Sequence, residues 1–116
     1  MNEKFFEELI TFRNELKSRK PSRYKLIGIS SELILSKDVF DKNIDIEKFI
    51  AYVFEEQFKQ YLFASRTNLV ARTTRLIIRS NDEQYLSYKK RLSDFLNDII
   101  NHNENNIRKN TFDSWL

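Results

Sequence analysis

The sequence predicts an all-α domain, a compact bundle of four to five helices with room for one short strand or hairpin in residues 24–35. Three observations lead there. Gly and Pro occur once each in 116 residues, at Gly28 and Pro21, and a β-rich domain of this size needs more turn formers than that. Apolar residues recur at three- and four-residue intervals in several separate segments, the period of a helix buried along one face. Hydrophobic residues make up 41% of the chain and include ten Phe, five Tyr and one Trp. That suits one core and is too aromatic for a disordered chain.

The first helix is expected from Asn2 to Ser18, with Phe5, Leu9, Phe12 and Leu16 on one stripe and Phe6 and Ile10 beside it. Pro21 ends it, because a proline pushes the residue before it out of the helical region. Residues 24–29 (YKLIGI) read as a strand or an extended connector, and residues 31–36 (SELILS) as strand or helix. Residues 36–40 suggest a short helical turn capped by Ser36. The clearest period follows. Ile46, Phe49, Ile50, Val53, Phe54, Phe58, Tyr61 and Leu62 predict one long helix, capped by Asn43 or Asp45, through the middle of the core.

Residues 65–68 (SRTN) form a natural break, since Ser, Thr and Asn compete for local backbone hydrogen bonds. A helix from Asn68 to Arg79 turns Leu69, Val70, Leu76 and Ile77 inward. Ser80 followed three residues later by Glu83 matches a capping box. It opens a helix carrying Tyr85, Tyr88, Leu92, Phe95 and Ile99, flanked by Leu96 and Ile100. Beyond Ile100 the Asn-rich stretch 101–106 is expected to be weakly structured. The division that results is one helical domain over 1–106 and a C-terminal tail over 107–116. Phe112, Trp115 and Leu116 in that tail are apolar anchors, either docked back on the domain or offered to a partner.

Much chemistry is excluded. Without Cys there is neither a disulfide nor a thiolate metal site. A single Gly precludes a Gly-rich phosphate loop. His102 is the only histidine and has no nucleophile pattern around it. No carboxylate pair stands out as an acid–base couple. The expectation is therefore no catalytic residue, no metal and no cofactor. Residues 1–10 show no signal-peptide core, no segment has the roughly 20 apolar residues of a membrane span, and a cytoplasmic protein is expected.

Charge is the informative feature. The formal balance is +3 and unevenly spread. Residues 17–25 hold Lys17, Arg19, Lys20, Arg23 and Lys25 and no acid. Residues 66–79 hold Arg66, Arg72, Arg75 and Arg79, again with no acid. Arg72, Arg75 and Arg79 lie three and four apart, so one side of a helix presents all three. This segment uses Arg alone, and the planar guanidinium fork grips phosphate in two places at once. The plainer alternative is that Glu55, Glu56 or Asp82 on neighbouring helices neutralises them. A basic arm beside Tyr24 suits phosphate tracking, or simply keeps the protein soluble.

Residues 65–80 (SRTNLVARTTRLIIRS) are similar to the RT-x-N-x-x-AR segment of small ribbon-helix-helix-like accessory proteins of DNA phosphorothioation, although Asn68 directly follows Thr67 here. Leu35, Ser36 and Lys37 have a loose counterpart there too. The similarity covers under a fifth of the chain, and the expected helix over 45–62 has no place in that pattern. It implies association with DNA and a pairing strand at SELILS in a homodimer. The functional expectation is a non-enzymatic nucleic-acid-binding or DNA-associated accessory protein of bacterial or mobile-element type. Arg66, Arg72, Arg75, Arg79, Lys20 and Arg23 would touch phosphate. The rival is a protein-interaction adaptor or homo-oligomeric module that uses its aromatic stripe or the terminal FDSWL segment, through Phe112, Trp115 and Leu116.

Overall fold

Where the sequence alternates between helix and strand, the chain resolves in favour of helix throughout. The computed structural model describes the backbone of residues 3–17 and 22–113, and the side chains of residues 3–17 and 22–102. Among the described residues five helices run in the order α1 (Glu3–Leu16), α2 (Arg23–Leu35), α3 (Ile46–Phe54), α4 (Arg66–Arg79) and α5 (Asp82–Asp113), with short 3₁₀ turns at Asn43–Asp45 and Gln60–Ala64. Among the described residues there is no strand.

The largest correction concerns residues 24–35, where 24–29 are expected as a strand or extended connector and 31–36 as strand or helix. They form a single helix. Ser22 caps it by accepting a hydrogen bond from the Lys25 amide, and Leu26, Ile29, Ser30, Leu33 and Ile34 make a buried helical stripe. The small polar Ser30 in the stripe, and the exposed Leu35 opposite it, blur the period in the sequence. Gly28 lies on the open side with nothing near its Cα hydrogens. It is a helix-interior glycine and marks no turn. Residues 37–39 form only a turn, whose Val39 amide donates to Ser36 Oγ at 3.3 Å.

The second correction shortens the central helix. α3 stops at Phe54, because Glu55 adopts the left-handed conformation at φ 55°. Arg91 of α5 donates to the Tyr52 carbonyl at 2.9 Å and pairs with the Glu55 carboxylate. It thereby satisfies a carbonyl that the helix end leaves open. The helical spacing of Phe58, Tyr61 and Leu62 is thus not continued helix, and Tyr61 is exposed. Nor does Asn43 or Asp45 cap α3 with its side chain; Asp45 accepts from the Lys42 amide at 3.1 Å.

The third correction moves a cap by one residue. Asn81 and Gln84 form the reciprocal pair at the start of α5, at 3.0 and 2.8 Å. Ser80 instead closes α4 by donating to the Ile77 carbonyl. α5 then continues as helical backbone to Asp113, through the Asn-rich stretch expected to be weakly structured.

In the packing, α2 lies along α4, and α1 and α3 lie against α5. The aromatic stripe is internal. Phe49 sits 5.4 Å from Phe40, 4.8 Å from Phe95 and 6.0 Å from Phe54, and Phe54 meets Tyr88 edge-on at 5.0 Å. Such tilted contacts suit the ring quadrupoles.

Candidate nucleic-acid interface

α4 starts where Ser65 accepts from the Asn68 amide at 3.4 Å. Leu69, Thr73 and Ile77, four residues apart, are buried against the bundle. The same geometry fixes the outward side. At 100° per residue, Arg72, Arg75 and Arg79 fall within one sector, and all three are exposed. They overlook a groove of about 460 Å³ between α4, the connection that follows α3, and the first turns of α5. Lys59 adds a fourth cation to its lining and Glu56 the one carboxylate. Tyr61 and Tyr88 supply aromatic faces, and Gln57 and Gln84 amides.

Two of the three carboxylates that could neutralise these arginines are engaged elsewhere, while the third, Glu56, lines the groove without pairing to them. Asp82 pairs with Arg23 at 3.4 Å and Glu55 with Arg91. Among the described residues, neither an ion pair nor a hydrogen bond engages Arg72, Arg75 or Arg79. Arg79 sits in the last turn of α4, where the helix dipole alone favours a cation.

Arg66 has a different role from the one its neighbours in sequence suggest. Its Nε donates to Asn43 Oδ1 at 2.8 Å. Its Nη1 donates to the carbonyls of Ile34 at 3.0 Å and Ser36 at 3.1 Å, and its Nη2 to those of Phe40 and Asp41. All five guanidinium hydrogens are thus used. They tie the end of α2, the loop after it and the 3₁₀ turn to the start of α4, where Asn43 also donates to the Phe63 carbonyl at 2.8 Å. Arg66 belongs to the scaffold and has no donor left for phosphate.

Arg23 is partly drawn into the scaffold as well. It donates to the Ser80 carbonyl at 3.0 Å and lies 5.0 Å over the Tyr85 ring. Lys20 and the C-terminal Phe112, Trp115 and Leu116 lie outside the residues whose side chains are described. Sequence reasoning missed Lys59 and Tyr61, because a helix read straight through residues 55–62 hides the turn that brings them beside α4, and it missed Gln84 and Tyr88 because only the packing of α5 shows that its first turns border the groove.

Burial raises the Tyr88 phenol above its ordinary value, and the carboxylates of Glu56 and Glu55 push it further the same way. Burial likewise raises Tyr85, partly offset by Arg23. Both rings therefore stay neutral at physiological pH, and Tyr88 presents an uncharged face to the groove. No group of three or more His, Asp or Glu among the described residues is placed to hold a metal ion, and none of their helices is long and apolar enough to cross a membrane. No protein family, curated protein or solved structure matches the chain.

Proposed function

We propose that this chain is a non-enzymatic nucleic-acid-binding accessory protein whose α4 arginines hold the phosphate backbone. One observation carries the reading: Arg72, Arg75 and Arg79 share one exposed groove with Lys59, and the nearby carboxylates of Glu55 and Asp82 are engaged by other arginines. Three guanidinium forks on one helix face suit a row of anions better than a single one. From Arg72 to Arg79 the helix rises about 10 Å, enough for roughly three phosphates of a stacked strand at about 3.4 Å per nucleotide. Lys59 extends the row across the groove. The groove lining shows no pattern that reads base edges, so sequence preference is expected to be weak.

Titration of labelled oligonucleotides at several salt concentrations tests this. Binding should weaken linearly on a log–log plot, and Arg75→Ala should reduce the slope by about one while weakening affinity for all sequences alike. Absence of binding at low salt, or an Arg75→Ala protein that binds like the parent, would remove the proposal.

A further inference from the structure

Resting on the nucleic-acid reading above, we infer that the groove takes a single strand rather than a duplex, with a base stacked on Tyr61. The arginine row is the rim of a concavity, and the concavity contains more than charge. Tyr61 is 64% exposed in the 3₁₀ turn Gln60–Ala64, between the buried Leu62 and the cationic Lys59. Exposure alone means little, since Tyr24 is more exposed still, but Tyr61 is the strongly exposed ring that lines the same groove as Arg72, Arg75 and Arg79, and its face is open to a ligand there. Its neighbours Leu62 and Phe63 anchor the turn in the core, so the ring is presented on a fixed support.

Volume and shape decide between the two forms of nucleic acid. About 460 Å³ is the size of a site for a small organic group. A duplex hides the faces of its bases inside the stack and presents a convex backbone, so only its phosphates would reach the rim and Tyr61 would stay idle. A single strand can lay its phosphates along Arg72, Arg75 and Arg79 and turn one base inward onto Tyr61. A cationic groove with an aromatic platform is the combination that binds single strands without reading their sequence. Gln57 and Gln84 at the lining tolerate either a donor or an acceptor on the base edge, in keeping with weak sequence preference. Glu56 is the one lining carboxylate and limits how far phosphates extend past Lys59.

The experiment compares a labelled twelve-nucleotide thymidine strand, a twelve-base-pair duplex, an abasic strand of the same length, and thymidine triphosphate, all by fluorescence anisotropy or competition at low salt. The single strand should bind at least about tenfold tighter than the duplex. Tyr61→Ala should cost at least about fivefold on the thymidine strand and leave the abasic strand unchanged, since stacking of one base is the interaction removed. Tyr61→Phe should retain the affinity of the parent. Thermal unfolding of both variants controls for folding, and an exposed ring is expected to leave it unchanged. Equal affinity for duplex and single strand, or no effect of Tyr61→Ala, overturns the single-strand inference while leaving phosphate binding by the arginines intact. Thymidine triphosphate that binds as tightly as the strand also overturns it, in favour of a free nucleotide. If none of the four probes binds, the nucleic-acid reading itself fails and this inference falls with it.

Discussion

Arg66→Ala should be the most destabilising single change among the protein's charged side chains, because Arg66 is half-buried with part-buried hydrogen bonds, and Arg66→Lys should recover little of the loss. Arg66 Nε, Nη1 and Nη2 together satisfy one side-chain amide oxygen and four carbonyls drawn from residues 34–43. A hydrogen bond from a charged donor contributes about 1.5–3 kcal/mol when its acceptor is otherwise out of water. The contacts to Asn43, Ile34, Ser36 and Phe40 are part-buried, while the Asp41 contact at 3.5 Å is exposed. Water can reach part of this set once the side chain is gone. Two lost bonds at the lower figure already give about 3 kcal/mol for Arg66→Ala. In a domain of this length each kcal/mol moves the midpoint by roughly 3–6 °C, so Tm should fall by about 10–15 °C. Lysine keeps the charge but has three donors on a point-like head instead of five in a plane. It should retain under half of the stability, which separates geometry from charge. Thermal and urea unfolding followed by circular dichroism measure both variants, with exposed Arg75→Ala as the reference, expected within about 0.5 kcal/mol of the parent. If Arg66→Ala shifts Tm by less than about 3 °C, or Arg66→Lys matches the parent, the five-donor account is wrong.

Three further changes probe the scaffold. Gly28→Ala should stabilise the domain by about 0.5–1 kcal/mol, because Gly28 lies inside α2 with open space where a Cβ would stand; a lower Tm would show that residues 23–35 are not helical. Thr73→Val should raise stability by up to about 1 kcal/mol, since the Thr73 hydroxyl is buried with no hydrogen-bond partner and valine has its shape without its desolvation cost; a loss on urea unfolding would reveal a partner for it. The raised pKa values of Tyr85 and Tyr88 have a defined sign. The folded state holds these protons more tightly than the unfolded one, so their contribution is fully present below the ordinary tyrosine value of 10.0 and is lost as pH rises through the higher folded values. Absorbance titration at alkaline pH should show a late ionisation that Tyr88→Phe diminishes, and Tyr88→Phe should reduce the fall in stability above that pH; a late phase that Tyr88→Phe leaves undiminished would contradict the burial.

Helix class and the order of the secure elements were legible because they depend on local spacing. Leu9 and Leu16, Ile46 to Phe54, and Tyr88 to Ile100 each repeat at the helical period and each are buried. The failures share a cause, which is that a distant residue settles a local ambiguity. Phe58, Tyr61 and Leu62 keep the helical period, yet α3 ends before them because Arg91 of α5 takes the Tyr52 carbonyl. Residues 24–36 look β-like until α4 provides the surface that their stripe packs against. The cap at α5 is a local exception: Ser80 and Asn81 are both good capping residues, and what separates them is the bond of the Ser80 hydroxyl back to the Ile77 carbonyl, three residues earlier at the end of α4. Of the groove, the arginine row was legible from spacing alone, while Lys59 and Tyr61 were invisible until the end of α3 was known.

The deeper difficulty is that the sequence cannot rank arginines. Arg66 and Arg72 sit six residues apart in one helix, in a segment free of acids, and composition treats them alike. What separates them is the supply of acceptors. Arg66 lies at the start of α4, level with the end of α2, whose last carbonyls have no partner within their own helix. Arg72, Arg75 and Arg79 lie further along, where two of the candidate carboxylates have other cations to answer: Glu55 is drawn to Arg91 by the turn that ends α3, and Asp82 to Arg23 by the start of α5. These ion pairs leave Glu56 as the carboxylate of the groove lining, set against four cations. It follows that Arg91→Ala, a change at a residue that does not line the groove, should free the Glu55 carboxylate, next in sequence to Glu56. It should thereby weaken anion binding without removing any residue that lines the groove. A change in α3–α5 packing would instead lower stability alone, so affinity measured on protein shown to be fully folded distinguishes the two.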